Sequence, residues 1–353
     1  MTNEPTTRPE KPNRGRRLAT PLLVLFGLLA IGGLQAATID KVKARGELVC
    51  GVNTGWLKGF AWRDEAGHWT GFDVDMCRAV AAAVLGDKNK VRFVPLTAAQ
   101  RLPALATGQV DLLARNTTWT LSRDMDAGIS FAVTVYYDGQ GFMVKSDSGK
   151  TSALHLNGAR ICVQKATTSE KNLKNYFHIN LMQYIPVYVD TPEAAMEAFM
   201  GGKCDAVTSD QVQLFALRSI TRDPNDYRVL PEVISQEPLT LAVRAGDDDW
   251  RKVVQWTGFV LIAAEFHGID SKNVHQVLES AKRTGDMTLA GFYNPVGKVQ
   301  GLEPGWPARV IEQLGNYGEI FERNLGQSSP LKLNRGLNAL WNHGGLLYAP
   351  PVR

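Results

Sequence analysis

Apolar strand-like runs alternate with helical patterns along most of this chain, and the alternation restarts near its middle. In the first series, Leu48–Val52 predicts a strand and the Ala-rich stretch Val74–Leu85 a helix ended by Gly86. Val91–Val94 follows as a strand and Arg101–Ala106 as a short helix stopped by Gly108. Ile129–Val135 and Gly141–Val144 read as a strand pair crossing out of the first series. The second series runs Ala159–Gln164 (strand), Ser169–Tyr176 (helix) and Pro186–Val189 (strand). A helix over Glu193–Phe199 comes next, with Thr191 as N-cap and Pro192 at its first position, then Asp205–Thr208 (strand) and Gln211–Leu217 (helix). Pro238–Val243 is apolar and extended, a return crossing. Such alternation builds mostly parallel α/β layers, and two such series give two lobes joined by two crossings. A cleft is then expected where carboxyl ends of strands from both lobes meet.

After Asp248 the pattern turns helical: Trp250–His267, Asn273–Ser280, Pro307–Leu325 and Leu337–Trp341, with a Gly/Pro-rich irregular wrap over 291–305. The resulting division is 1–36, 37–140 (first lobe), 141–239 (second lobe), 240–284 (return to the first lobe) and 285–353 (helical extension on the first lobe).

The N-terminus reads as an export signal. Arg14, Arg16 and Arg17 precede an apolar run from Pro21 to Leu34, and Gln35-Ala36-Ala37 offers small residues for cleavage. That run is shorter than the ~20 residues a membrane-spanning helix needs. Residues 1–36 carry five of the 39 Lys and Arg and two of the 35 Asp and Glu, leaving 34 basic against 33 acidic residues. A chain so nearly neutral gives no support to nucleic-acid or membrane-surface binding.

Four cysteines in an exported chain point to disulfides. Of three possible connectivities, Cys50 with Cys77 and Cys162 with Cys204 keeps each bridge inside one lobe. No CxxC or Cys/His cluster suggests a metal, and no cofactor motif is present.

Several segments carry polar groups to strand ends. The run Val110, Leu112 and Leu113 leads into Asn116, Thr118 and Arg123, a set suited to gripping a small carboxylate through a guanidinium fork. Gln164 to Glu170 passes from strand end to helix start, where Thr168 and free N–H groups favour an anion, and Thr167 with Glu170 also fits a capping box. Asp210 ends a strand and opens a helix, either as N-cap or to receive an ammonium from the other lobe. Trp56 and Phe60, on the loop after the first strand, suit either a ligand wall or a satellite core. Gly71-Phe-Asp-Val-Asp75 reads as a turn and helix start that shapes the lobe. There is no Gly-x-Ser-x-Gly and no His-Glu-x-x-His, and the six histidines lie away from the expected cleft.

Taken in order, Gly71-Phe-Asp-Val-Asp75, Arg101-Leu-Pro-Ala-Leu-Ala-Thr-Gly-Gln-Val-Asp111, Asn116-Thr-Thr-Trp-Thr-Leu-Ser-Arg123, Thr167-Thr-Ser-Glu170 and Gly202-Lys-Cys-Asp-Ala-Val-Thr-Ser-Asp210 resemble the polar amino-acid-binding proteins of ABC uptake systems. The tail, with Gly315 to Arg323, Pro330 to Trp341 and Gly344 to Pro351, is similar to the general L-amino-acid-binding subgroup. The resemblance implies a two-lobed periplasmic-binding-protein fold of type II that closes on free L-amino acids of broad type. It implies delivery to inner-membrane permease subunits by a monomer in the periplasm, with no catalytic residue. Arg123 then takes the α-carboxylate, helped by N–H groups of Thr118 and Thr168. Asp210 takes the α-ammonium, with the Thr118 hydroxyl and the Asn116 carbonyl as further acceptors. Arg101 falls where glutamate/aspartate binders hold a side-chain carboxylate. Three departures stand out: Asn53 where those binders have a second arginine, Ala98 where narrower relatives have a larger wall, and Ala166 in place of a glycine. The competing classes are an exported enzyme on the same scaffold, of the cyclohexadienyl-dehydratase kind, and a ligand-sensing module.

Overall fold

In the first half of the molecule, buried apolar strands lie against an Ala-rich helix. The computed structural model describes residues 37–125, 128–293 and 301–353. The expected export signal (1–36) lies outside the described residues, as does the middle of the Gly/Pro-rich piece (294–300).

The chain begins with α1 (Thr38–Arg45), β1 (Leu48–Val52), three short strands β2 (Trp56–Leu57), β3 (Ala61–Arg63) and β4 (Trp69–Thr70), and α2 (Phe72–Leu85). There follow β5 (Val91–Pro95), α3 (Ala98–Ala106), β6 (Leu112–Leu113), α4 (Leu121–Asp124) and β7 (Ile129–Asp138). The second half contains β8 (Gln140–Lys145), β9 (Ala159–Gln164), α5 (Thr168–Ile179), β10 (Tyr184–Val189), α6 (Pro192–Met200), β11 (Ala206–Asp210), α7 (Gln211–Ser219) and β12 (Tyr227–Val229). Then come β13 (Glu237–Arg244), α8 (Asp248–Phe266), α9 (Val274–Thr284), α10 (Ala290–Tyr293), α11 (Trp306–Leu314) and α12 (Tyr317–Asn324).

Two five-stranded sheets result, in the orders β5-β1-β6-β13-β7 and β10-β9-β11-β8-β12. In each, a central strand has parallel neighbours on both sides: β1 between β5 and β6, and β9 between β10 and β11. Antiparallel strands close the other edge. The expected strand pair at 129–144 is not a pair. β7 bonds β13 in one sheet and β8 bonds β11 and β12 in the other, so consecutive strands serve different sheets. Gly139 stands between them, and a Cβ there would lie 2.1 Å from Val233 Cγ1 on the other connection. The two connections therefore run in close contact, which requires a residue without a side chain at 139.

The expected helix at Pro307–Leu325 is two helices. Asn316 and Glu319 form a full capping box after Gly315, which ends α11 and starts α12. The helix expected at Leu337–Trp341 is only two 3₁₀ turns, Gly336–Asn338 and Trp341–His343. The stretch read as a loop after β1 contains the small sheet β2-β3-β4. Elsewhere local signals held: Thr191 caps α6 by accepting the Ala194 N–H, and Gly86 ends α2 in the left-handed conformation.

Cys50–Cys77 joins β1 to α2 and Cys162–Cys204 joins β9 to the turn before β11. The main core unites the first sheet and α2 with α8, α11 and α12, so Val310, Ile311, Ile320 and Phe321 are as buried as Val80. The second sheet has a smaller apolar cluster on each face.

Candidate ligand-binding site

The carboxyl ends of β1, β6, β9 and β11 bring the polar segments singled out above into one region. Its centre is Asn116, just beyond β6, which holds φ +32. Its backbone N–H donates to Asp73 Oδ2 (3.1 Å) at the start of α2. Its side-chain oxygen accepts from Asn53 Nδ2 (3.2 Å) and Arg115 Nη1 (3.3 Å), while Nδ2 donates to Gln213 Oε1 (3.3 Å) on α7 of the other half. Asp73 thus does more than shape the helix start: it fixes the unusual backbone at the strand end.

Beyond Asn116 the chain runs beside β13. Thr240 N–H donates to the Thr117 carbonyl and Trp119 N–H to the Pro238 carbonyl, both at 2.9 Å. Arg123 lies half-buried on the short α4, and its Nη1 donates to the Thr118 carbonyl at 2.8 Å. From the other half, Thr168 opens α5, so its N–H lacks a helical partner. The Thr118 and Thr168 hydroxyls stand 3.4 Å apart. Thr167 caps α5, but Glu170 returns to the Ala166 N–H rather than to that of Thr167. Ala166 adopts φ +59, a left-handed backbone that a side chain makes costly.

Asp210 precedes α7, yet its carboxylate makes no capping bond. It is 6% exposed, and its pKa is raised to about 7, by burial first and then by the charge of Glu237. Arg101, Arg123 and Asn116 oppose that rise.

Glu237, absent from the sequence reading, lies at the crossroads. It is 2% exposed at the start of β13. One carboxylate oxygen accepts from the Thr118 (2.5 Å) and Thr168 (2.8 Å) hydroxyls; the other accepts from Asn172 Nδ2 and Ser235 Oγ, both at 2.6 Å. One side chain therefore ties both halves to a connection between them. The signal for it was a lone acid heading the apolar run Pro238–Val243.

Arg101 on α3 is 3% exposed and its Nη1 donates to the carbonyls of Arg115 (3.3 Å) and Asn116 (3.4 Å). Arg115, also unforeseen, is 2% exposed and donates through Nε to the Leu96 carbonyl (3.1 Å). Burial lowers the pKa of all three arginines, that of Arg115 to about 10. Among the described residues no ion pair links Asp73, Arg101, Arg115, Arg123, Asp210 and Glu237 to one another. Asp75, two residues from Asp73, by contrast pairs with Arg78 (3.2 Å) and Arg323 (2.8 Å).

The two aromatic residues part company. Trp56 is 56% exposed, edge-on to Trp62, on a strand that approaches α6 and α7 of the other half. Phe60 is in the core, with Phe72 and Tyr136 rings 5.6 and 5.5 Å away, so the placement on a ligand wall is corrected: its apolar ring fills the space beneath α2.

Residues 48–272 match the model of the bacterial extracellular solute-binding proteins, family 3. The chain belongs to that family. Its architecture is accordingly the type II periplasmic-binding-protein fold, with added C-terminal helices, and it is a solute-binding protein rather than an enzyme. Over 329 residues it is 50% identical to the general L-amino acid-binding periplasmic protein AapJ of Rhizobium johnstonii, spanning 92% of this chain and 96% of that one. It is 47% identical over 330 residues to the glutamate/glutamine/aspartate/asparagine-binding protein BztA of Rhodobacter capsulatus, spanning 94% and 97%. A solved structure of an ABC transporter periplasmic binding protein from Brucella ovis, with glutathione bound, superposes with a TM-score of 0.85 at 49% identity, covering 90% of this chain and all of that one.

Proposed function

We propose that this protein captures free L-amino acids of broad type between two closing lobes and hands them to inner-membrane ABC permease subunits. In this reading residues 1–36 are a cleaved export signal and the mature protein is a periplasmic monomer. Residues 37–140 and 240–284 form one lobe, 141–239 the other, and 285–353 an extension on the first.

One observation carries the reading. Arg123 in one half and Asp210 in the other are opposite charges, and neither is ion-paired among the described residues. An α-amino acid is a zwitterion, and burying either of its charges unpaired costs several kcal/mol. Arg123 supplies a fork for the α-carboxylate, helped by the N–H groups of Thr118 and Thr168. Asp210 and the Thr118 hydroxyl receive the α-ammonium. Because the two anchors lie in different halves, the ligand favours the closed arrangement, and hinge closure is the general behaviour of periplasmic binding proteins. The ligands named for the relatives support the reading: general L-amino acids, four acidic and amide amino acids, and glutathione, which carries an α-amino acid group at its γ-glutamyl end.

Calorimetry on the mature protein tests it. Arg123→Ala is expected to lose at least tenfold in affinity for every L-amino acid that binds, since the α-carboxylate is common to all. Unchanged affinities would remove Arg123 from the site.

A further inference from the structure

We propose that Glu237 is a positioning residue that latches the two halves in the closed arrangement by docking the start of α5. The proposal rests on the amino-acid-capture reading above and concerns what holds the closed arrangement once it forms.

By its backbone, Glu237 belongs to the first half. It starts β13 in register with Asp138 of β7, and Leu239, two residues on, bridges Thr118. Its carboxylate collects donors from both halves. Thr168 and Asn172 are four residues apart on α5 and so share one face of that helix. Each serves one oxygen: the Thr168 hydroxyl donates to Oε2 at 2.8 Å and Asn172 Nδ2 to Oε1 at 2.6 Å. The second donor to each oxygen comes from the other side, the Thr118 hydroxyl to Oε2 and the Ser235 hydroxyl to Oε1. A carboxylate has about four acceptor positions, and these donors fill them.

If α5 swings away, each oxygen loses one of its two donors at a position only 2% exposed. Hydrogen bonds to an ionised group are about twice as strong as neutral ones, and burial shields them from competing water. The carboxylate also meets the first turn of a 12-residue helix, whose dipole favours negative charge.

The latch acts on the ligand through its two threonines. A carboxylate only accepts, so both hydroxyls donate to it and keep lone pairs free. In the reading above, the Thr118 hydroxyl is thereby fixed as an acceptor for the α-ammonium. Docking α5 likewise brings the Thr168 N–H to the α-carboxylate that Arg123 holds. Both groups are common to all amino acids, so Glu237 strengthens binding by one factor for every side chain. Asn172 serves the latch alone.

Release of a ligand requires opening, so the dissociation rate reads the latch. Stopped-flow fluorescence on the mature protein with L-glutamate, and separately with L-glutamine, measures it. Glu237→Ala is expected to raise both rates by about tenfold or more, and Asn172→Ala by about threefold, the scale of buried hydrogen bonds to a charged group. Once Glu237 is alanine, Asn172→Ala should add nothing. Glu237→Gln should recover most of the loss: its amide oxygen can take both threonine hydroxyls while its NH2 donates to Ser235 and to an Asn172 amide turned over. Asn172 is half-buried on a helix, so its replacement by alanine keeps the test open even if Glu237→Ala does not fold. An unchanged rate in Asn172→Ala, the same effect with and without Glu237, or different factors for the two ligands would each overturn the latch alone. Failure of the unaltered protein to bind either ligand would overturn the broad amino-acid reading and the latch with it.

Discussion

As the proposed acceptor of the α-ammonium, Asp210 couples ligand capture to protons. Burial and the neighbouring Glu237 charge raise its pKa from the ordinary 3.8 to about 7 in the ligand-free protein. An ammonium at the carboxylate favours the ionised form and lowers that value again. Binding then releases a proton below about pH 7. Affinity should be level above that pH and fall as pH drops below it, approaching tenfold per unit. Calorimetry from pH 5.5 to 8, in buffers of different ionisation heat, measures both the slope and the released proton. Asp210→Asn should bind weakly with a flat profile, and a flat profile in the unaltered protein would separate Asp210 from the ammonium. At this scale the sequence was a partial guide. Arg123, Thr118, Asn116, Thr168 and Asp210 were legible because motif order places them at or just after strand ends, and Arg101, within α3, only through the resemblance. Phe60, Arg115 and Glu237 were not, because burial decides whether an aromatic ring or a charge faces a cleft or the interior.

Elements were read best where the cause is local. The Thr191–Pro192 helix start, the stop of α2 at Gly86 and the strands β1 and β9 emerged with the expected residues. Periodicity ran α11 and α12 together because apolar residues continue through Gly315-Asn316, and only the reciprocal bonds of Asn316 and Glu319 show the break. Both disulfides link neighbouring elements, and each holds a buried pair. Closing a loop between residues 27 apart, as Cys50–Cys77 does, restricts the unfolded chain by about 3–4 kcal/mol. The double replacement Cys50→Ala with Cys77→Ala should lower stability by about that amount in urea, measured by circular dichroism, with the fold retained. A midpoint unchanged within error would mean the bridge does not contribute to the stability of the fold.

In the whole molecule, the C-terminal helices belong to the core of the first half. Tyr317 donates its hydroxyl to the Val135 carbonyl at 2.7 Å, and Arg335 forms a two-pronged pair with Glu265 (2.9 and 3.0 Å). Trp306, Val310, Ile311, Leu314, Ile320, Phe321 and Leu325 are buried in the same cluster as α2 and α8. Each such side chain is worth roughly 1.5–3 kcal/mol, so together they are comparable with the ~5–15 kcal/mol net stability of an ordinary domain. A chain ending at Thr284 should therefore show no cooperative thermal transition. A melting temperature within a few degrees of the full chain would contradict this.

The order of elements and the strand ends that carry polar groups follow from periodicity and capping, which a sequence displays; the cysteine partners it left open among three connectivities, and the structure chose. The meeting of Glu237 with Thr118 across 119 residues, and the pressing of two arginines against Asn116, do not follow from such local signals. Such meetings depend on which sheet each strand joins and on how far each charge is taken from water, and both are settled only when the two halves come together.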